Sequence, residues 1–200
     1  MITAIFTGLR ASELRGLRWR DIDLKNAELQ VRQRADKYRK IGPPKTEAGE
    51  RAIPLPPTVV NVLREWKLAC PKGTLDLVFP NGKGNVEFHV NLIQRGLWPV
   101  LLAASVTRPV LDDQGAPQRD TEGKPIVEPK YPGLHALRHF YASWCINRKQ
   151  DGGLELPPKS VQQRMGHSSI VVTMDTYGHL FPRSDDAAEL AAAEAALLSN

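Results

Sequence analysis

The chain has 200 residues, 42% hydrophobic and 24% charged, enough for one well-buried domain and too few for two large ones. This composition excludes a disordered, collagenous or membrane-spanning chain. The net charge of +5 is unevenly spread: residues 1–100 hold 17 Lys and Arg against 10 Asp and Glu, and residues 101–200 hold 10 against 12. A basic first half admits nucleic acid as a partner. Cys70 and Cys145, both flanked by apolar residues, read as free buried thiols of a reducing compartment. With no secretory signal and no apolar run long enough for a bilayer, the expectation is a cytoplasmic protein with no membrane contact.

In chain order, Met1 to Leu9 predicts a helix, because Ile2, Ile5, Phe6 and Leu9 keep helical spacing from the first residue. The domain is therefore expected to begin upstream of Met1. Gly8 allows a sharp turn, and Ser12 is expected to cap a short second helix that buries Leu14 and Leu17. Glu28 to Arg34 and Arg51 to Leu55 read as partner strands, with a long basic hairpin between them. Pro56-Pro57 opens a helix from Thr58 to Ala69, and Leu77-Val-Phe79 reads as a short buried strand or turn. Val86 to Ala104 reads as a helix that Gly96 and Pro99 kink or break.

Residues 105–132 hold many Pro and Gly among charged residues and predict an exposed insertion containing a hairpin. His135 to Arg148 carries Leu137, Phe140, Tyr141, Trp144 and Cys145 on one helical face. Pro157-Pro158 opens another helix that Gly166 stops after Met165, and Ser168 or Ser169 caps the next one toward Tyr177. Asp185 to Leu198 predicts an alanine-rich final helix, too acidic for a DNA face. The order is α+β, mainly helical, with a small antiparallel sheet near the N-terminal part.

Four separated segments carry the chemistry: Thr7-Gly-Leu-Arg-Ala-Ser-Glu-Leu14, Lys45-Thr46 before Gly49-Glu-Arg51, His135-Ala-Leu-Arg138-His139, and Gly166-His167-Ser-Ser followed by Tyr177. Singly, each has a plain explanation. An Arg at a turn is ordinarily solvated, and a Tyr is ordinarily a half-buried aromatic. His135 and His139 at i and i+4 have the spacing of a metal pair, but the HExxH pattern is absent and no third ligand is nearby. Together, two Arg, two His, one Lys and one Tyr are the groups needed to attack a phosphodiester without a metal. Arg10 and Arg138 suit the non-bridging oxygens and the charge of the transition state. Tyr177 is the candidate nucleophile, His135 its base, Lys45 the acid for the departing oxygen, and His167 a further phosphate donor.

These segments resemble the active-site motifs of the tyrosine recombinase, or phage integrase, catalytic domain, in the same order over nearly the whole chain. The resemblance implies Arg10, Lys45, His135, Arg138, His167 and Tyr177 as catalytic residues, Glu13 as an orienting partner, and His139 as a packing or supporting residue. It implies cleavage of one DNA strand to a 3′-phosphotyrosine and religation to another, with no cofactor, metal or ATP. Met165 stands where the family usually has Leu, a volume-conserving change. Within that frame the basic hairpin residues Arg32, Arg34, Lys37, Arg39 and Lys40 are expected to follow the backbone of double-stranded DNA. The resemblance further implies a catalytic domain over residues 1–183, a segment 184–200 for docking on another protomer, and a tetrameric synapse for the full-length protein. The alternatives are a non-catalytic DNA-binding or assembly remnant of an integrase, and a type IB topoisomerase-like enzyme.

Overall fold

The computed structural model describes residues 1–181 and 187–199. Two short helices, α1 (Ile2–Thr7) and α2 (Ala11–Gly16), lead into a three-stranded antiparallel sheet of β1 (Ile22–Asp23), β2 (Glu28–Val31) and, after the intervening hairpin, β5 (Arg51–Pro54). The register sets Ile22 opposite Leu29 and Leu29 opposite Ile53. Alternation sends Leu29, Val31 and Ile53 inward. Helix α3 (Pro57–Ala69) begins on the proline pair and lays Val59 and Leu63, both fully buried, on that face. Each such side chain contributes about 1.5–3 kcal/mol by leaving water.

The long strand expected from Glu28 to Arg34 is two strands. The chain leaves the sheet after Val31 and pairs again as β3 (Arg34–Ala35) with β4 (Ile41–Gly42). The departure has a packing cause, since Gly16 presses against the backbone of Arg34 and Ala35 at the end of α2. Leu77 forms only a single bridge, to Arg18.

Of the kink or break expected at Gly96 and Pro99, the break is absent. Helix α4 (His89–Asn91) runs through a π-helical stretch, Leu92–Leu97, into α5 (Trp98–Ala103). Pro99, which has no N–H to donate, follows the π-helical stretch directly, and the helix continues through it. The insertion is a hairpin, with β6 (Thr107–Pro109) paired to β7 (Val127–Pro129).

Helix α6 (His135–Ile146) runs through the core, its Tyr141, Ala142, Cys145 and Ile146 fully buried. It ends two residues short of the expected Arg148, where Asn147 turns into extended backbone. Cys145 is buried and Cys70 half-buried; both are free thiols. Helix α7 (Pro158–Met165) stops at Gly166, which adopts φ +62°. Ser169, one of the two expected caps, caps α8 (Ile170–Tyr177). The expected start of the last helix at Asp185 and the 183/184 boundary lie outside the described residues. Helix α9 (Ala187–Leu198) leaves Leu190, Leu197 and Leu198 exposed. No helix among the described residues is long and apolar enough to cross a membrane.

Candidate active site

Three turns converge beside the start of α6: the α1–α2 corner, the strand entering β5, and the α7–α8 loop. At the first, Gly8 adopts φ +58°, and the ring of Tyr141 occupies the place a Cβ would take. Any side chain there would strain the backbone and collide with α6. The turn brings Arg10 to the cap of α2, the position expected for Ser12. The Arg10 backbone N–H donates to Glu13 Oε2 (2.9 Å) and its Nη1 to Glu13 Oε1 (2.8 Å). Its Nη2 reaches across the fold to the carbonyl of Gly166 (3.0 Å).

Glu13 is almost wholly buried and is shared with a second cation. Arg51 on β5 places Nη2 2.9 Å from Glu13 Oε2, and also donates to the carbonyls of Gly49 and Arg164. Burial by itself raises the Glu13 carboxyl pKa, but Arg51 and then Arg10 outweigh it and hold the group at about 2. Gly166 is required beside this brace, because a Cβ there would lie 2.7 Å from Arg51 Nη1 and 2.9 Å from the carbonyl of Ala48.

Arg138 enters from the first turn of α6 and is buried. Its two terminal nitrogens donate to the carbonyls of Gly8 and Met165, one on each flanking turn. Burial and the neighbouring Arg10 and Arg51 lower its pKa to about 10, which leaves it charged at neutral pH.

His167 sits half-buried just past the stop of α7, its Nδ1 2.9 Å from Thr173 Oγ1. Burial, then Arg138, Arg10 and Arg51, push its pKa down to about 4, so the ring is neutral at pH 7. Its plane stacks on the Tyr177 ring, with centroids 6.3 Å apart. Tyr177 is 4% exposed. Burial raises the pKa of its hydroxyl, and Arg138 opposes that shift.

The partner of the Tyr177 hydroxyl is His139 Nδ1, at 2.8 Å. Sequence reasoning gave that role to His135. Residues 135 and 139 lie one turn apart on one face of α6, and the later one reaches α8. The rings of His135 and His139 meet edge to face at 4.7 Å, and burial, then His139, Arg138 and Arg10, lower the His135 pKa. Among the described residues no group of three or more His, Cys, Asp or Glu side chains is placed to hold a metal ion. A cavity of about 710 Å³ beside the two histidines is walled by Ile5, Leu101, Val106 and Phe140; it is apolar and is not a seat for phosphate.

Arg10, Glu13, His135, Arg138, His139, His167 and Tyr177 are thus brought together. Lys45 is not: it is exposed on the loop after β4, one residue beyond Pro44, which packs on Gly49. The hairpin tip turns at Asp36, whose Oδ1 accepts from the N–H groups of Tyr38 and Lys40. Arg32, Lys37, Arg39 and Lys40 are exposed, while Arg34 is half-buried. Arg39 lies over the Phe88 ring at 4.1 Å and Lys37 over Tyr38 at 4.8 Å. The residue missed by sequence reasoning is Arg51. Its only signal is a cation on a strand just before the inward-facing Ile53, since the carboxylate it pairs with lies 38 residues away.

The geometry has a chemical consequence. Three guanidinium groups, Arg10, Arg51 and Arg138, surround one carboxylate, Glu13, with a neutral His167 and a tyrosine hydroxyl alongside. Arg10 keeps 35% of its side chain exposed. Such a cluster carries uncompensated positive charge and suits an anion whose charge grows in a transition state.

The phage integrase family profile matches residues 1–183. Among curated relatives, the "Tyrosine recombinase XerC-like" protein of Caldanaerobacter subterraneus subsp. tengcongensis is 29% identical over 206 residues, covering 91% of this chain and 45% of that protein. The "Prophage integrase IntR" of Escherichia coli K12 is 39% identical over 182 residues, covering 88% and 41%. The chain therefore spans less than half the length of these relatives. Among solved structures, the Tn1549 transposon integrase in complex with transposon right end DNA gives a TM-score of 0.64 at 23% identity, covering all of this chain and 57% of that one. XerA recombinase gives 0.56 at 20% identity, covering 90% and 55%. Both show the same mixed fold, a mainly helical domain with small antiparallel sheets. With its motifs gathered around one anion-seeking cluster and the family profile spanning nearly its whole length, the chain belongs to the phage integrase (tyrosine recombinase) family and carries that family's catalytic fold.

Proposed function

We propose that the chain is the catalytic part of a site-specific DNA recombinase, acting through Tyr177. The carrying observation is the excess of guanidinium groups over carboxylates beside a buried tyrosine hydroxyl. Arg10 and Arg138 bind the non-bridging oxygens of the scissile phosphate, and His167 donates to it. Tyr177 Oη attacks phosphorus, the P–O5′ bond breaks, and a 3′-phosphotyrosine and a free 5′-hydroxyl result. The reverse attack by a 5′-hydroxyl of another strand rejoins the DNA, so bond energy is conserved in the phosphotyrosyl link.

Lys45 serves as the acid for the departing 5′ oxygen, from a loop that DNA would cover. Arg32, Arg34, Lys37, Arg39 and Lys40 contact the phosphate backbone without reading bases, which makes binding salt-dependent. Residues 184–200 dock on a neighbouring protomer through the leucines that α9 leaves exposed. The full-length protein works as a tetrameric synapse.

The test is covalent trapping. Duplexes nicked just 3′ of the cleaved position lose their short 5′-hydroxyl fragment and leave protein joined to DNA. An SDS-resistant adduct that disappears in Tyr177→Phe is expected. No adduct on any such substrate, from this chain or from a longer form of the protein, overturns the proposal.

A further inference from the structure

We propose that His139, rather than His135, takes the proton of Tyr177 as the nucleophile attacks, an assignment that rests on the reading of Tyr177 above. The hydroxyl has to lose a proton to something within hydrogen-bond reach. Of the three imidazoles around it, only His139 has a nitrogen bonded to the oxygen, at 2.8 Å. His167 engages its Nδ1 with Thr173 and presents its ring face to Tyr177. His135 meets the edge of His139 and no atom of the tyrosine hydroxyl.

In the tautomer this role requires, the phenol donates, His139 accepts on Nδ1, and its own proton is on Nε2. As Oη bonds to phosphorus, the proton passes to Nδ1, the P–O5′ bond breaks, and the leaving oxygen is protonated by Lys45. The imidazolium so formed sits on an exposed residue, which returns the proton to solvent before the next turnover.

The titratable groups that face His139 are His135 from its own helix, Tyr177 from α8, and Tyr131, which shares the wall of the apolar cavity; the charges of Arg138 and Arg10 act on the neighbouring His135. Glu13 is paired with Arg10 and Arg51. The arrangement also assigns a separate part to His135, whose edge-on ring holds His139 in place.

The test measures the rate of covalent adduct formation from about pH 5 to pH 9. It uses this chain and labelled nicked duplexes with randomised sequence around the nick, and compares wild type with His139→Ala, His139→Gln, His135→Gln and Tyr177→Phe. Gln keeps an acceptor for the tyrosine hydroxyl but cannot take its proton. Both His139 variants are expected to lose about 10²–10⁴-fold in rate, the usual contribution of a positioned base. They should also lose the rise with pH that wild type and His135→Gln show. Added imidazole should speed His139→Ala and leave Tyr177→Phe inactive, a response that a merely structural role would not give. If either His139 variant stays within about threefold of wild type, or keeps its pH rise, the assignment is overturned while Tyr177 stands as nucleophile. Absence of any wild-type adduct overturns the nucleophile reading, and the base falls with it.

Discussion

The arginine cluster and the 105–132 hairpin hold together through hydrogen bonds of opposite reach. In the cluster, Arg10 bonds to a carbonyl 156 residues away, Arg138 to one 130 residues away, and Arg51 to one 113 residues away. In the hairpin, Asp112 and Asp120 each close a turn on N–H groups within four residues, and Arg108 pairs with Glu128 directly across the strands. The cluster pairs buried charges, so removing one partner strands another in a medium of low polarity. The hairpin pairs are exposed and replaceable by water. Its charges, four basic against five acidic over residues 105–132, also make it a poor phosphate binder beside the hairpin of Arg32 to Lys40. The comparison teaches that two segments of similar polarity in sequence differ in what the fold has staked on them.

The strongest way to test that difference is Arg138→Ala, which removes the tie between two turns and, in the proposed function, a charge at the phosphate. Adduct formation should fall at least about 10³-fold, and by no less than in Lys45→Ala; cleavage equal to wild type would break the comparison. Next comes Glu13→Gln, which leaves Arg10 and Arg51 without their shared carboxylate. A loss of about 3–5 kcal/mol in urea unfolding is expected. Gly166→Ala places a methyl group against Arg51 and the Ala48 carbonyl at positive φ, and should cost about 1–3 kcal/mol.

Acid should act on the cluster through His167 and Glu13. His167 is shifted down, so the unfolded chain binds its proton first: stability is complete above the unfolded value near 6.5 and is lost as pH falls toward about 4. Glu13, shifted down to about 2, adds a loss in the same direction as pH falls below its unfolded value. Thermal unfolding followed from pH 7 to pH 4 should show a falling midpoint, flatter in His167→Asn; an equal slope in the variant would remove His167 from the account. The smallest loss belongs to the hairpin. Replacing residues 110–126 by a two-residue turn should cost no stability, and the shorter closed loop gains at most about 2 kcal/mol, at about 0.6 kcal/mol per doubling of loop length. A fall comparable to that of Glu13→Gln would mean that the hairpin supports the domain after all.

Much of the fold was legible. Helix α6 announced itself through Leu137, Tyr141 and Cys145, and the stops at Gly8 and Gly166 through glycine alone. The π-helical stretch was not, because no spacing of Leu92 to Leu97 distinguishes an extra residue in a turn. Nor was the division of the Glu28–Arg34 strand, which depends on where Gly16 presses from another helix. In the site, the motif residues other than Lys45 lie together in the fold. Their partners could not be read: whether His135 or His139 meets Tyr177 depends on the rotation of α6 against α8.

By itself the sequence determined the inventory and the local geometry. It set which residues carry charge, hydroxyl and imidazole, where several of the helices start or stop, and that a mainly helical α+β domain with a basic first half would result. These follow from propensities and periodicities that act over a few residues. Only the tertiary structure decided that Arg51 shares Glu13 with Arg10, that Arg138 ties Gly8 to Met165, and that His139 holds the Tyr177 hydroxyl. Burial removes the water that would otherwise satisfy these groups, and the partner each must then find is set by packing rather than by spacing along the chain.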